Sequence, residues 1–221
     1  MTRDQLNNKM PTVLLTGFDA FGGDTLNPSW LVAQALNGQI LQGHCVVAAQ
    51  LPTGFAASRQ LLGGLLRQHT PQLVLCLGLA GGRACLSLER IAINVQDARI
   101  ADNAGAQPID IPVVPRGPAA YFSTLPIKAM LQTLRASGVA AEVSQTAGTF
   151  VCNHVFYALM HALEKQRGTV KSRGGFVHLP YLPGQGSPCM PLDEMVRGVR
   201  VAITCAVTIE GDTLLGAGSL N

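Results

Sequence analysis

Three side chains of this 221-residue sequence have the types that nucleophilic chemistry requires: the thiol of Cys152, the imidazole of His178 and the carboxylate of Glu89. Cys152 lies in TAGTFVCNH (146–154), after an Ala-Gly pair and at the head of a predicted helix. Backbone N–H groups are unpaired at such a junction and favour a thiolate, so a lowered thiol pKa is expected there. Gly148 leaves room for a ligand to approach the backbone. Taken alone, a free cysteine is more often a small buried hydrophobe. The other five, Cys45, Cys76, Cys85, Cys189 and Cys205, lack this setting.

A nucleophilic thiol needs a base. His69 closes a helix just before Pro71, and His161 sits well down the Cys152 helix. His154 is two residues from Cys152, a spacing at which helical side chains do not face each other. His178 instead interrupts the apolar strand GFVHLPY near its carboxyl end, where α/β folds gather their ligands. A satisfied core histidine is the competing reading. A third group must orient the imidazole. Glu89 is a charge inside the otherwise apolar, alternating LSLERIAIN; a surface pair with Arg90 is its plainer explanation. Arg99, ten residues on, has the donors an oxyanion needs, though an arginine on a loop is usually just solvated.

These residues must be positioned by a fold. Hydrophobic residues make up 48% and charged residues 13%, a balance that favours a compact α/β interior. The low charged fraction also suggests that another subunit covers part of the surface. TVLLTGF (12–18), VVAAQL (46–51), LVLCLGL (73–79) and GFVHLPYLP (175–183) read as buried strands. Between them lie helical stretches: PSWLVAQAL behind an Asn27 cap, AASRQLLGGLLRQH, LPIKAMLQTLRASG, CNHVFYALMHALEKQ and MPLDEMVRGVRVAITCAV. Residues 86–100 alternate like a strand, with a slip at Glu89-Arg90. Residues 101–120, rich in Pro, Gly and Asp, form a long loop. Strands alternating with helices imply a layered α/β fold with a largely parallel sheet. No linker divides the chain, so one domain is expected over 1–221, with residues 1–10 as a flexible extension.

Other classes are disfavoured. The net charge is +3, and no Lys/Arg run interleaved with aromatics marks a nucleic-acid footprint. No apolar stretch reaches membrane-spanning length. Neither CxxC nor HExxH occurs, so no metal site is expected. The six scattered cysteines do not form a disulfide framework, and MTRDQLNNKMP lacks the apolar core of a signal peptide. A cytoplasmic location is expected.

The wording of the sequence goes further. GLAGGRACLSLERIAIN (78–94) and VSQTAGTFVCN (143–153) resemble the two signature stretches of the pyroglutamyl peptidase family, the type I pyrrolidone-carboxylate peptidases. TGFDAFGGDTLNPSW (16–30) and GFVHLPYLP resemble that family too, in the same order. The likeness runs from Val13 to about Val207. It implies Cys152 as nucleophile, His178 as base, Glu89 as the residue orienting it, and Arg99 near the oxyanion. It also implies a three-layer α/β/α sandwich like that of the purine nucleoside phosphorylases, in a homodimer or homotetramer. No cofactor is implied, and the substrates are peptides with an N-terminal pyroglutamate (5-oxoproline). Phe18 and Phe21 match the family's pocket phenylalanines. Ile100 and Val151 are expected to add apolar contacts, and backbone near Leu79 and Val151 to bind the lactam. Two alternatives stay open: a phosphorylase-like or amidase activity on the same fold, and a non-catalytic binder of blocked peptides.

Overall fold

The computed structural model describes residues 10–166 and 171–218; the expected extension at 1–10 lies, but for Met10, outside them. The chain opens with β1 (Thr12–Phe18), α1 (Pro28–Leu36), β2 (Ile40–Leu41), β3 (His44–Leu51), α2 (Phe55–His69) and β4 (Leu73–Leu79). Next come β5 (Leu86–Glu89), β6 (Ile91–Ile93), β7 (Ala120–Phe122), α3 (Ile127–Ala136) and β8 (Ala141–Ser144). It closes with α4 (Val151–Glu164), β9 (Arg173–Leu179) and α5 (Leu192–Thr208).

Seven strands form one sheet in the order β2-β3-β1-β4-β9-β5-β8. The central run β3-β1-β4-β9 is parallel, as the strand–helix alternation requires. Antiparallel pairs flank it: β2 against β3, and β5 against β9, with β8 parallel to β5. The central strands are apolar on both faces because helices cover both. On β4, Leu73, Leu75 and Leu77 join one core with residues of α1, α3 and α5, including Val32, Met130 and Val199. Val74 and Cys76 join the other core, with Leu62 of α2 and Val155 of α4. The result is the three-layer α/β/α arrangement.

The slip at Glu89-Arg90 has a structural meaning. Leu86–Glu89 belongs to the large sheet, whereas Ile91–Ile93 turns away to pair with Ala120–Phe122 in a separate two-stranded sheet. One apparent strand is therefore two, and the carboxylate stands at the parting point. The short strands β2 and β7 carry no periodic signal that sequence reading could detect.

At the first β–α turn, Asn27 caps α1: its Oδ1 accepts from Ser29 N at 3.1 Å, and Pro28 occupies the first turn. Ser29 Oγ in turn accepts from Phe18 N at 2.9 Å, which ties the end of β1 to the start of α1. Gly17 makes this approach possible, since a Cβ there would collide with the Ser29 carbonyl.

Candidate active site

Sheet register brings the site together. Gly78 near the end of β4 is paired with His178 on β9. On the other side of β9, Ser87 is opposite His178, so Glu89, two residues on, shares its face and reaches it diagonally. Glu89 is fully buried and His178 is 3% exposed. The imidazole Nδ1 lies 2.7 Å from Glu89 Oε1. An ionised carboxylate can only accept, so Nδ1 carries the proton and Nε2 is left bare as a base.

Arg83, on the turn between β4 and β5, donates through Nη1 to the same Oε1 at 2.7 Å. Its Nη2 donates to the carbonyl of Thr146, in the loop that leads to Cys152, at 3.1 Å. Glu89 Oε2 is buried and has no hydrogen-bond partner among the described residues. Both donors therefore converge on one oxygen.

Cys152 lies in the first turn of α4, which has no side-chain cap, so the N–H groups of its opening residues point free from the helix end. Its sulfur rests against β4. A Cβ added to Gly78 would stand 2.8 Å from Sγ and 2.8 Å from Cζ of Phe176. The Phe176 ring packs on that of His178 at 4.8 Å between centroids. Thiol and imidazole thus lie on the same face of the sheet, the sulfur over Gly78 of β4 and the ring on the adjacent strand β9.

Asn153 anchors the helix end. Wholly buried, it accepts from Ile93 N at 3.0 Å and donates to the carbonyls of Ile93 and Val95, both at 2.9 Å. Thr149 Oγ1 adds a bond to the Asp97 carbonyl at 2.7 Å.

Electrostatics here depart from the sequence expectation. Burial, reinforced by the Glu89 charge and opposed by Arg83, pushes the Cys152 thiol up to about 12. Burial also pulls His178 below its ordinary value, while Glu89 acts the other way. Both shifts favour the uncharged forms, and desolvation is the leading cause of each.

Cys152 borders a cavity of about 170 Å³ whose walls include Phe18, Phe21, Leu79, Phe150 and Val151. The aromatic side is continuous: Phe21 and Phe55 each lie 5.3 Å from Phe150, centroid to centroid. Arg99 and Ile100 do not border this cavity. Both are exposed and line the adjoining concavity with Asp97, Thr149 and Phe150. Both stand beside the slot rather than in its lining, where the chain turns outward after Ala98 into the 101–120 excursion. Arg83, Asn153 and Phe150 escaped sequence reading. Arg83 sits inside a signature-like stretch, but its approach to Glu89 spans a turn and has no periodicity.

Among the described residues no group of three His, Cys, Asp or Glu side chains is placed to hold a metal, and no helix is long and apolar enough to cross a membrane. The remaining histidines are elsewhere. His161 bonds to Tyr121 and His44 to Gln72, while His154 is buried against Phe55.

Known proteins match this arrangement along most of the chain. The profile of the pyroglutamyl peptidase family matches residues 11–209. A pyrrolidone-carboxylate peptidase of Cupriavidus taiwanensis is 55% identical, over 96% of this chain and 100% of its own length. One from Bacillus cereus is 50% identical, over 95% and 99%. Among solved structures, pyroglutamyl peptidase I of Bacillus amyloliquefaciens superposes with a TM-score of 0.90 at 42% identity, covering 94% of this chain and 100% of that one. A mutant pyrrolidone carboxyl peptidase of Pyrococcus furiosus gives 0.85 at 38%, covering 89% and 98%. A Cys–His–Glu constellation on this three-layer sheet and full-length likeness to such enzymes agree: the chain belongs to the pyroglutamyl peptidase family of cysteine peptidases.

Proposed function

We propose that this protein hydrolyses the N-terminal pyroglutamyl residue from peptides, with Cys152 as nucleophile, His178 as acid–base and Glu89 as the group that holds the histidine's tautomer. The observation that carries this reading is the 2.7 Å contact between Glu89 and His178 Nδ1 behind a thiol that borders a small apolar cavity. His178 Nε2 takes the Cys152 proton as sulfur attacks the pyroglutamyl carbonyl carbon. The developing oxyanion meets the free N–H groups of the first turn of α4. The imidazolium then protonates the departing amine as the C–N bond breaks, leaving a thioester. Water, deprotonated by the same imidazole, attacks the thioester, and sulfur leaves with the proton.

The cavity accounts for the choice of end group. Phe18, Phe21, Phe150 and Val151 offer apolar walls to a flat ring, and 170 Å³ leaves space for little more than one ring. A lactam is neutral. A free α-ammonium in the same slot would exchange water for mainly apolar walls with a single lining carboxylate, Asp24, and would cost several kcal/mol wherever it stood unpaired. Leu79 and Val151 border the cavity, in keeping with backbone contacts to the lactam. Arg99 near the oxyanion and Ile100 as an apolar contact belong to the same proposal; both line the concavity that adjoins the slot at Phe150. Among the described residues no basic cluster stands at the thiol to support a phosphorylase-like reading. A single domain, a homodimer or homotetramer, and a cytoplasmic location belong to the same proposal; the last is supported by six cysteines that are all free thiols.

Hydrolysis of a pyroglutamyl-linked fluorogenic amide tests the reading. The wild type under reducing conditions is expected to turn the substrate over, and Cys152→Ala to lose at least about a thousandfold in kcat/KM. No turnover by the wild type, or equal turnover by Cys152→Ala, would refute it.

A further inference from the structure

We propose that Arg83 is a positioning residue of this active site: its forked guanidinium holds Glu89 in the state that orients His178 and ties it to the loop that delivers Cys152. The inference rests on the hydrolase reading above and adds to it a residue outside the Cys–His–Glu set. The two arms of the fork do different things. Nη1 donates to Glu89 Oε1 at 2.7 Å, on the same oxygen that accepts from His178. Nη2 donates to the Thr146 carbonyl at 3.1 Å, six residues before the nucleophile.

The first arm concerns charge. Glu89 is fully buried, whereas the Arg83 side chain is 25% exposed, so Arg83 places a cation against a carboxylate that water does not reach. The other titratable groups facing this site are His178 from β9, Cys152 from α4 and Cys76 from β4, and none of these carries a fixed positive charge. Without Arg83, Glu89 would be a buried anion with only a neutral imidazole beside it, and uptake of a proton is the cheapest relief. A protonated Glu89 donates to Nδ1 instead of accepting from it. The imidazole proton then moves to Nε2, and the base that must accept the Sγ proton is blocked. Arg83 therefore selects the working tautomer without touching substrate.

The second arm concerns geometry. Thr146 precedes Gly148, whose φ of 76° marks the turn into α4. Fixing its carbonyl to the group that holds Glu89 makes one rigid unit of acid and nucleophile loop. Lysine could keep the charge but not the planar two-armed fork.

Steady-state hydrolysis of the pyroglutamyl amide across pH separates these roles. Arg83→Gln is expected to lower kcat at least tenfold at pH 7 with KM within about twofold, and to move the acid limb of kcat/KM to higher pH. Arg83→Lys is expected to lose kcat a few-fold while its acid limb stays in place. A uniform fall of Arg83→Gln at every pH, with the limb unmoved, would reduce Arg83 to a scaffold residue and overturn the inference. Should Arg83→Gln fail to fold by circular dichroism, Arg83→Lys decides alone: a wild-type rate or a shifted limb overturns the inference, and a lower rate on an unmoved limb supports it. An inactive wild type is the separate signature of a failed hydrolase reading.

Discussion

At the level of single residues, Gly78 shows how little slack the site has. It contributes no side chain, yet its missing Cβ makes room for both the Cys152 sulfur and the edge of Phe176, each 2.8 Å from where that atom would be. Real Cβ contacts are not that close, so in Gly78→Ala either the thiol or the ring must move. Phe176 is 1% exposed and packs between Phe18, Phe156 and His178, so it has nowhere to go. The sulfur, at the edge of a cavity, yields first. Gly78→Ala is expected to fold with a loss of about 1–3 kcal/mol in chemical denaturation and to fall at least tenfold in kcat. Wild-type kcat in the variant would mean that the sulfur does not rest on β4. The same surroundings account for the raised thiol: half-buried against β4 and mainly apolar walls, the sulfur is disfavoured as a thiolate.

At the level of elements, the site depends on two joints that differ in how visible they are in the sequence. The strands β1 and β4 and the helix α1 coincide with the apolar runs and the Asn27-Pro28 signal, because burial on both faces and capping leave strong local marks. Cys152, His178 and Glu89 each stand out in the sequence as a reactive or charged group out of keeping with its surroundings, but only the resemblance to the family joins the three. What the sequence did not disclose is long-range. The antiparallel pairing of β5 with β9 decides that Glu89 faces His178, and no local pattern encodes which strands become neighbours. Asn153 is hidden in the same way, since its three bonds run to residues about 60 positions away. Those bonds seat the first turn of α4 on the C-terminal end of β6, at Ile93 and at Val95 just beyond it. Asn153→Ala would strand a buried N–H and two carbonyls, so unfolding free energy is expected to drop by about 2–4 kcal/mol, with kcat falling alongside. Unchanged stability would show that the anchor is dispensable. Asn153→Asp, which keeps the acceptor but cannot donate, is expected to recover little.

At the level of the whole molecule, buried histidines set how the fold responds to acid. His178 and His161 are both held below their ordinary range, chiefly by burial, and His154 more strongly, to about 4. His154 is 3% exposed and edge-on to Phe55, and neither ring nitrogen has a hydrogen-bond partner among the described residues. Burial is the main cause of its shift and the Arg59 charge adds to it, a backbone contact at Phe55 offsetting part. In the unfolded chain the same imidazole protonates near 6.5. Between these two values the unfolded state binds more protons than the folded one, so stability is full above pH 6.5 and drains away as pH falls toward 4. A gap of that size is worth about 3 kcal/mol. His154→Phe keeps a ring of similar shape and removes both the titration and the unpaired nitrogens. It is therefore expected to gain about 3 kcal/mol on the wild type in urea unfolding at pH 4, beyond any difference at pH 7. His178 and His161 still titrate in the variant, so its curve keeps a slope of the same sign; the difference between the two curves belongs to His154. Curves that run parallel from pH 7 to pH 4 would show that His154 takes up its proton in the folded state as readily as in the unfolded chain.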